Sequence, residues 1–174
     1  MTRAVGRCSF SMRIHLLCVT HRVPAWVKAA FEEYAMRLPP SCRLGLVEIR
    51  AARRPAHADP ARAREEEASR LLKAVPGSAG IVALAEHGEA WTTAELARHL
   101  GSWTQASNDV ALLIGGADGL ARRCSQQANH VWSLSALTLP HALVRVIVAE
   151  QIYRAWSLLQ HHPYHRAACA PRSI

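Results

Sequence analysis

"LLIGGADGL", Leu112 to Leu120, and "WSLSALTLPHALVRVIVAEQIYRAW", Trp132 to Trp156, decide the fold of this chain. In the first, an apolar run without polar alternation turns through Gly115, Gly116 and Gly119. In the second, an apolar run passes through a loop bearing Ser133, Ser135 and Thr138, then enters a long apolar helix at Pro140. Continuous apolar runs are how strands buried on both faces read, and proline is tolerated where a helix begins. Two such turns in succession put two loops at the carboxyl edge of one sheet, where open α/β folds bind their ligands.

Working outward, "RIHLLCV" (13–19) reads as a buried strand and Pro24 opens a helix to Leu38 that Pro39 and Pro40 end. "CRLGLVEIR" (42–50) is a second strand, and the arginine-rich "AARRPAHADP" (51–60) is a loop before a charged helix over 61–75. A third strand over 80–86 precedes a helix over 92–106, where Thr92 and Glu95 form a T-x-x-E capping box. Residues 108–116 are a fourth strand, 120–130 a short helix, 131–137 a fifth strand and 140–160 the long helix. Strands alternating with helices predict an α/β fold, a parallel-rich sheet covered by helices on both faces.

The 174 residues suit one domain. Residues 1–11 lack periodicity and precede Met12, so they read as a disordered extension or a misplaced start; residues 12–166 form the domain and 167–174 a flexible tail. Half the residues are hydrophobic and 20% are charged, which excludes wholesale disorder. Lys and Arg number 21 against 13 acidic residues, and the net charge of +8 favours a polyanionic partner. The five cysteines, Cys8, Cys18, Cys42, Cys124 and Cys169, form no C-x-x-C pair, so neither a disulfide framework nor a zinc knuckle is signalled. A cytoplasmic location fits. No charge-free apolar run reaches the about 18 residues of a membrane span.

The glycine loop taken alone is a weak signal, because it matches neither G-x-G-x-x-G nor a Walker pattern and many turns use glycine for geometry. The hydroxyl loop facing the same sheet edge changes the balance, since two polar loops make one pocket. Thr138 is expected to cap the helix that follows, besides any contact with a ligand. That helix is apolar almost all round from Leu143 to Leu159, which predicts a second covering layer, a homodimer partner, against a face carrying Val148 and Ile152. Glu150, Arg154, Ser157 and His161 share one stripe of it, with Glu150 and Arg154 spaced as a structural ion pair.

On "LLIGGADG", "WSLSALTLPHALVRVIVAEQIYRAWS" and "HHPYHR", residues Met12 to Arg166 resemble the bacterial ribosomal RNA large-subunit methyltransferase H family of the SPOUT superfamily. The resemblance implies an S-adenosylmethionine-dependent homodimer with a C-terminal trefoil knot. It also implies methylation of N3 of a pseudouridine in 23S ribosomal RNA, on the assembled ribosome. Carried over by position, its cofactor contacts fall on Leu84, Gly116, Leu134, Ser135, Ala136, Leu137, Thr138 and Leu139. Three positions depart from the family pattern. Ala85 stands where relatives carry aspartate, with Glu86 one place later; Asp118 replaces a glutamate; and "VTHRVP" lacks the usual glycine and lysine.

Methyl transfer from a sulfonium is an in-line displacement, so alignment is the protein's main contribution, and the N3 imide must also lose its proton. Arg154, Tyr164 and His165 are the catalytic candidates, beside His162 and Arg166: a histidine near pKa 6.5 accepts a proton and an arginine holds phosphate or enolate oxygen. His161, His162, His165 and Cys169 are a weaker candidate metal set, and no metal site is assigned. The different-class alternative is a non-catalytic ribosome- or RNA-binding protein that keeps the fold. A nicotinamide-using enzyme ranks below it, because no dinucleotide fingerprint follows the first strand.

Overall fold

The computed structural model describes residues 11–54 and 59–164. Strands β1 (Met12–Thr20), β2 (Cys42–Arg50), β3 (Gly80–Ala90), β4 (Val110–Ile114) and β5 (His130–Ser133) alternate with five helices. These are α1 (Ala25–Ala35), α2 (Pro60–Ala74), α3 (Thr93–Gln105), α4 (Arg122–Gln127) and α5 (His141–Leu159). All pairings are parallel, in the order β2-β1-β4-β3-β5, so the expected α/β architecture is present.

Alternation along β1 shows why both faces need cover. Met12, Ile14, Leu16 and Cys18 enter one core with Phe31 of α1, Leu100 of α3 and Ile152 of α5. Leu17 and Val19 enter the other with Leu71 of α2 and Cys124 of α4. β4, buried at all five residues, pairs with β1 from Ile14↔Val110 to Cys18↔Ile114, which sets Gly115 at the carboxyl edge of the sheet centre. α3 begins with the expected box: the Glu95 N–H donates to Thr92 Oγ1 at 3.2 Å and the Thr92 N–H to Glu95 Oε2 at 2.8 Å.

Three expectations are corrected. Val148 and Ile152 do not form a partner-facing surface; both are fully buried inside this chain's own core, among α1, α3 and the sheet. A helix apolar all round gives period no means of choosing its inner face. The exposed apolar residue on its first turn is Leu143, at 40%. The stripe also divides, for Ser157 is fully buried while exposed His161 lies past the helix end at φ 52°. β5 stops at Ser133 rather than Leu137, leaving residues 134–139 as loop. Residues 1–10, His165, Arg166 and Cys169 lie outside the described residues.

Candidate active site

The glycine loop folds back on itself. A Cβ on Gly115 would stand 2.4 Å from the Gly119 carbonyl carbon, and Gly119 adopts φ +80°, a region open to glycine. The Gly119 N–H donates to the Gly116 carbonyl at 3.0 Å, closing the turn. Gly116 is glycine for another reason: its Cβ would meet Glu67 Oε2 at 2.5 Å and Glu67 Cδ at 3.1 Å. Glu67, from α2, is 2% exposed; its Oε1 accepts from the Ala52 N–H at 3.0 Å and from Arg54 at 3.3 Å. Arg54 also reaches Asp118 Oδ2 at 3.0 Å, so one guanidinium pins the loop to the carboxyl group behind it.

β3 supplies the second wall through a register shift. Both Leu84 and Glu89 align with Trp132, so residues 85–88 bulge outward. Gly88 permits this, since a Cβ there would stand 2.7 Å from the Trp132 carbonyl carbon. The third wall is the 133–139 loop, which bonds to itself: Ser133 Oγ donates to the Ser135 carbonyl at 3.2 Å and the Leu137 N–H to Ser135 Oγ at 3.0 Å. Thr138 does not cap α5, whose N-cap is Pro140 with no side-chain hydrogen bond.

These walls enclose a cavity of about 470 Å³ lined by residues 84–87 of β3, Ile114, Gly115, Ala117 to Leu120, Trp132 to Ser135, Leu137, Leu139, His141 and Val144. That volume lies in the usual range for small-molecule sites. Of the residues carried over by resemblance, Leu84, Leu134, Ser135, Leu137 and Leu139 line it, while Gly116, Ala136 and Thr138 do not. Ala85 carries no acid, but Glu86 lines the cavity beside it. His141 and Trp132 were not foreseen; the available signal for His141 was its place directly after Pro140, where the polar loop becomes helix. Burial first, then the Arg145 cation, holds the His141 pKa below its ordinary value.

Across this fold a family model described as "Predicted SPOUT methyltransferase" matches residues 12–165. The chain belongs to the SPOUT methyltransferase family. It is 56% identical over 155 residues to a ribosomal RNA large subunit methyltransferase H of Thioalkalivibrio sulfidiphilus, covering 89% of this chain and 99% of that protein. It is 54% identical over 157 residues to the protein of that name in Nitrosococcus oceani, covering 90% and 100%. A crystal structure of a Neisseria gonorrhoeae protein described as a methylase family member superposes with TM-score 0.53 at 18% identity, over 88% of this chain and 86% of that one, a likeness of fold.

A second cluster lies along α5 and just past its end. Arg154 Nε donates to Glu150 Oε1 at 2.8 Å, and the Tyr164 hydroxyl donates to the same oxygen at 3.2 Å. The Arg154 guanidinium lies 4.9 Å from the Tyr164 ring centroid, and Tyr153 meets that ring edge-on at 4.8 Å. The cation–π contact and the ion pair both fix the guanidinium's orientation. Burial, then Glu150, pushes the Tyr164 phenol up to about 12, so it stays protonated at neutral pH. The structure thus brings Arg154 of α5 and Tyr164, beyond the end of that helix, together at Glu150, and neither lines the cavity. Among the described residues no helix is long and apolar enough to cross a membrane.

Proposed function

We propose that this protein is an S-adenosylmethionine-dependent methyltransferase that methylates N3 of a pseudouridine in 23S ribosomal RNA, on the assembled ribosome in the cytoplasm. The observation that carries the reading is the cavity at the carboxyl edge of β3, β4 and β5, walled by the glycine loop and the 133–139 loop, in a chain of the SPOUT methyltransferase family. Its relatives named ribosomal RNA large subunit methyltransferase H match the chain nearly end to end, which supports ribosomal RNA as substrate. The net charge of +8 suits a phosphate backbone.

The cavity fits the cofactor's chemistry. Leu84, Leu134, Leu137 and Trp132 offer apolar surface for a purine, and Ser135, Glu86 and Asp118 offer polar groups for its amino-acid end. Bound there, S-adenosylmethionine supplies an electrophilic methyl group. The chain's own task is to hold the loops rigid and to manage the N3 proton and the charge it leaves. Arg154, fixed by Glu150, serves as the anion-holding cation, and neutral Tyr164 serves as a hydrogen-bond donor, not as the base. His165 is the proton acceptor in this reading.

The same reading makes the protein a homodimer through the exposed side of α5, where Leu143 stands 40% exposed beside half-buried Val146 and Ile147. The C-terminal knot implied by the resemblance belongs to it too. Calorimetric titration with S-adenosylmethionine and, separately, NADH tests the cofactor assignment. Saturable binding of the first alone is expected; binding of neither favours the non-catalytic RNA-binding protein.

A further inference from the structure

We propose that Arg53 and Arg122, on the α2–α4 side of the cavity, hold the RNA phosphate backbone that flanks the target nucleoside, with Arg62 extending the same rim. This rests on the reading that ribosomal RNA is the substrate. All three are exposed and stand at the carboxyl edge of the sheet: Arg53 follows β2, Arg62 lies in the first turn of α2 and Arg122 opens α4. The backbone on either side of Arg53 is anchored. The Ala51 N–H donates to the Thr20 carbonyl at 3.1 Å, and that of buried Ala52 to Glu67 Oε1 at 3.0 Å. After it, Arg54 is tied at 3.0 Å to Asp118, which lines the cavity. Arg122 repeats the arrangement. Ala121 before it is buried, Arg123 after it lies 3.2 Å from Glu65 Oε2 of α2, and Leu120, two positions earlier, lines the cavity. In each Arg-Arg pair one guanidinium is bound to a carboxylate and the other is left outward on a fixed backbone, which lowers the cost of ordering a contact with a ligand.

The chain's own acids do not answer these outward cations. All 13 acidic side chains of the sequence fall within the described residues, and among those residues none forms an ion pair with Arg53, Arg62 or Arg122. Glu65, Glu66, Glu67 and Asp118 are taken by Arg123, Arg70 and Arg54, and Asp59 accepts from the Ala61 N–H at 2.9 Å. A planar guanidinium meets a phosphate with two parallel N–H donors, and phosphate contacts set the register of a nucleic acid on a protein. The rim also stays open in a dimer. α2 and α4 cover one face of the sheet, whereas α5, with α1 and α3, packs on the other.

The test compares two double variants of equal charge loss, Arg53→Gln with Arg122→Gln, and Arg13→Gln with Arg43→Gln. Arg13 and Arg43 are exposed and pair across β1 and β2 at the amino edge of the sheet. Binding of each protein to ribosomes that lack the modification, and to protein-free 23S RNA, is measured over a range of salt concentrations, beside calorimetry with S-adenosylmethionine and a melting curve. The rim variant is expected to bind both about tenfold or more weakly, with the slope of log K against log salt reduced by about 1 for each arginine. Its cofactor affinity stays within about twofold of the unmodified protein's, and in methyl transfer its KM for ribosomes rises while kcat holds. The amino-edge variant is expected to behave as the unmodified protein. Should the rim variant melt early, Arg53→Gln and Arg122→Gln singly, each lowering the slope by about 1, carry the test. Equal losses in the two double variants overturn the rim, because overall charge alone would then explain binding. So does a rim variant with unchanged affinity and slope. A loss seen with ribosomes but not with protein-free RNA overturns it too, assigning these arginines to a ribosomal protein. An unmodified protein that fails to bind ribosomes overturns the substrate reading first, and the rim with it.

Discussion

Replacing Gly116 by alanine puts a methyl group 2.5 Å from Glu67 Oε2, 3.1 Å from Cδ and 3.2 Å from Oε1, and those three atoms are its nearest neighbours. Glu67 cannot swing into water, being 2% exposed and held through Oε1 by Ala52 and Arg54. Overpacking of this kind costs about 1–3 kcal/mol, and in a chain of this length about 2 kcal/mol lowers Tm by about 4–8 °C. Glu67→Ala costs about 1–3 kcal/mol for another reason, since the buried Ala52 N–H loses its acceptor. In the double variant the clash is gone, so the two losses do not add; the shortfall is about 1–3 kcal/mol, the coupling of two residues in contact. Thermal and urea melts of the wild type, both single variants and the double variant, without cofactor, measure it. Additivity within about 0.5 kcal/mol would refute the argument. So would a Gly116→Ala protein of unchanged stability that has lost only cofactor affinity, because Gly116 would then be glycine for the ligand's sake.

Leu143→Glu is expected to leave the melting curve near that of the wild type while light scattering falls to monomer mass; Val148→Glu buries a carboxyl group in the chain's own core and should cost about 4 kcal/mol or more. A monomeric wild type would contradict the dimer. Alkaline difference spectroscopy should show one tyrosine ionising at about 12 that is absent from Tyr164→Phe. Because the folded phenol holds its proton above the unfolded value near 10, its contribution to stability is lost as pH rises from about 10 through about 12. Truncation after Gln160 removes Tyr164 and the residues beyond while leaving the cavity wall whole, so cofactor affinity should persist and methyl transfer to ribosomes collapse. A truncated protein that methylates at the full-length rate would remove the tail from the reaction.

The alternation of five strands and five helices was legible because the strands carry apolar stretches and glycine, proline or a cap separates them from the helices, as "NDVALLIGG" and the Thr92–Glu95 box illustrate. Ser135 was legible as a cavity residue because loops at the carboxyl edge converge, whereas Leu84, Leu134, Leu137 and Leu139 were reached through the family resemblance alone. What stood out of reach depends on contacts distant in sequence. Nothing near Gly116 announces Glu67, 49 positions earlier, as the atom that forbids a Cβ. The inner face of α5 depends on where α1 and α3 pack, which an all-round apolar pattern does not encode. The bulge that carries Glu86 into the cavity depends on Gly88 meeting β5, a pairing across the chain.

The most direct test of the central claim is methyl transfer itself. The full chain is incubated with S-adenosylmethionine labelled in its methyl group and with large-subunit ribosomes that lack the modification, and the labelled RNA is digested to nucleosides for mass spectrometry. The account predicts label in a single nucleoside, N3-methylpseudouridine from 23S RNA, with far less incorporation when free 23S RNA replaces the assembled ribosome. Ribosomes that stay unlabelled, or label appearing in any other nucleoside, would contradict it.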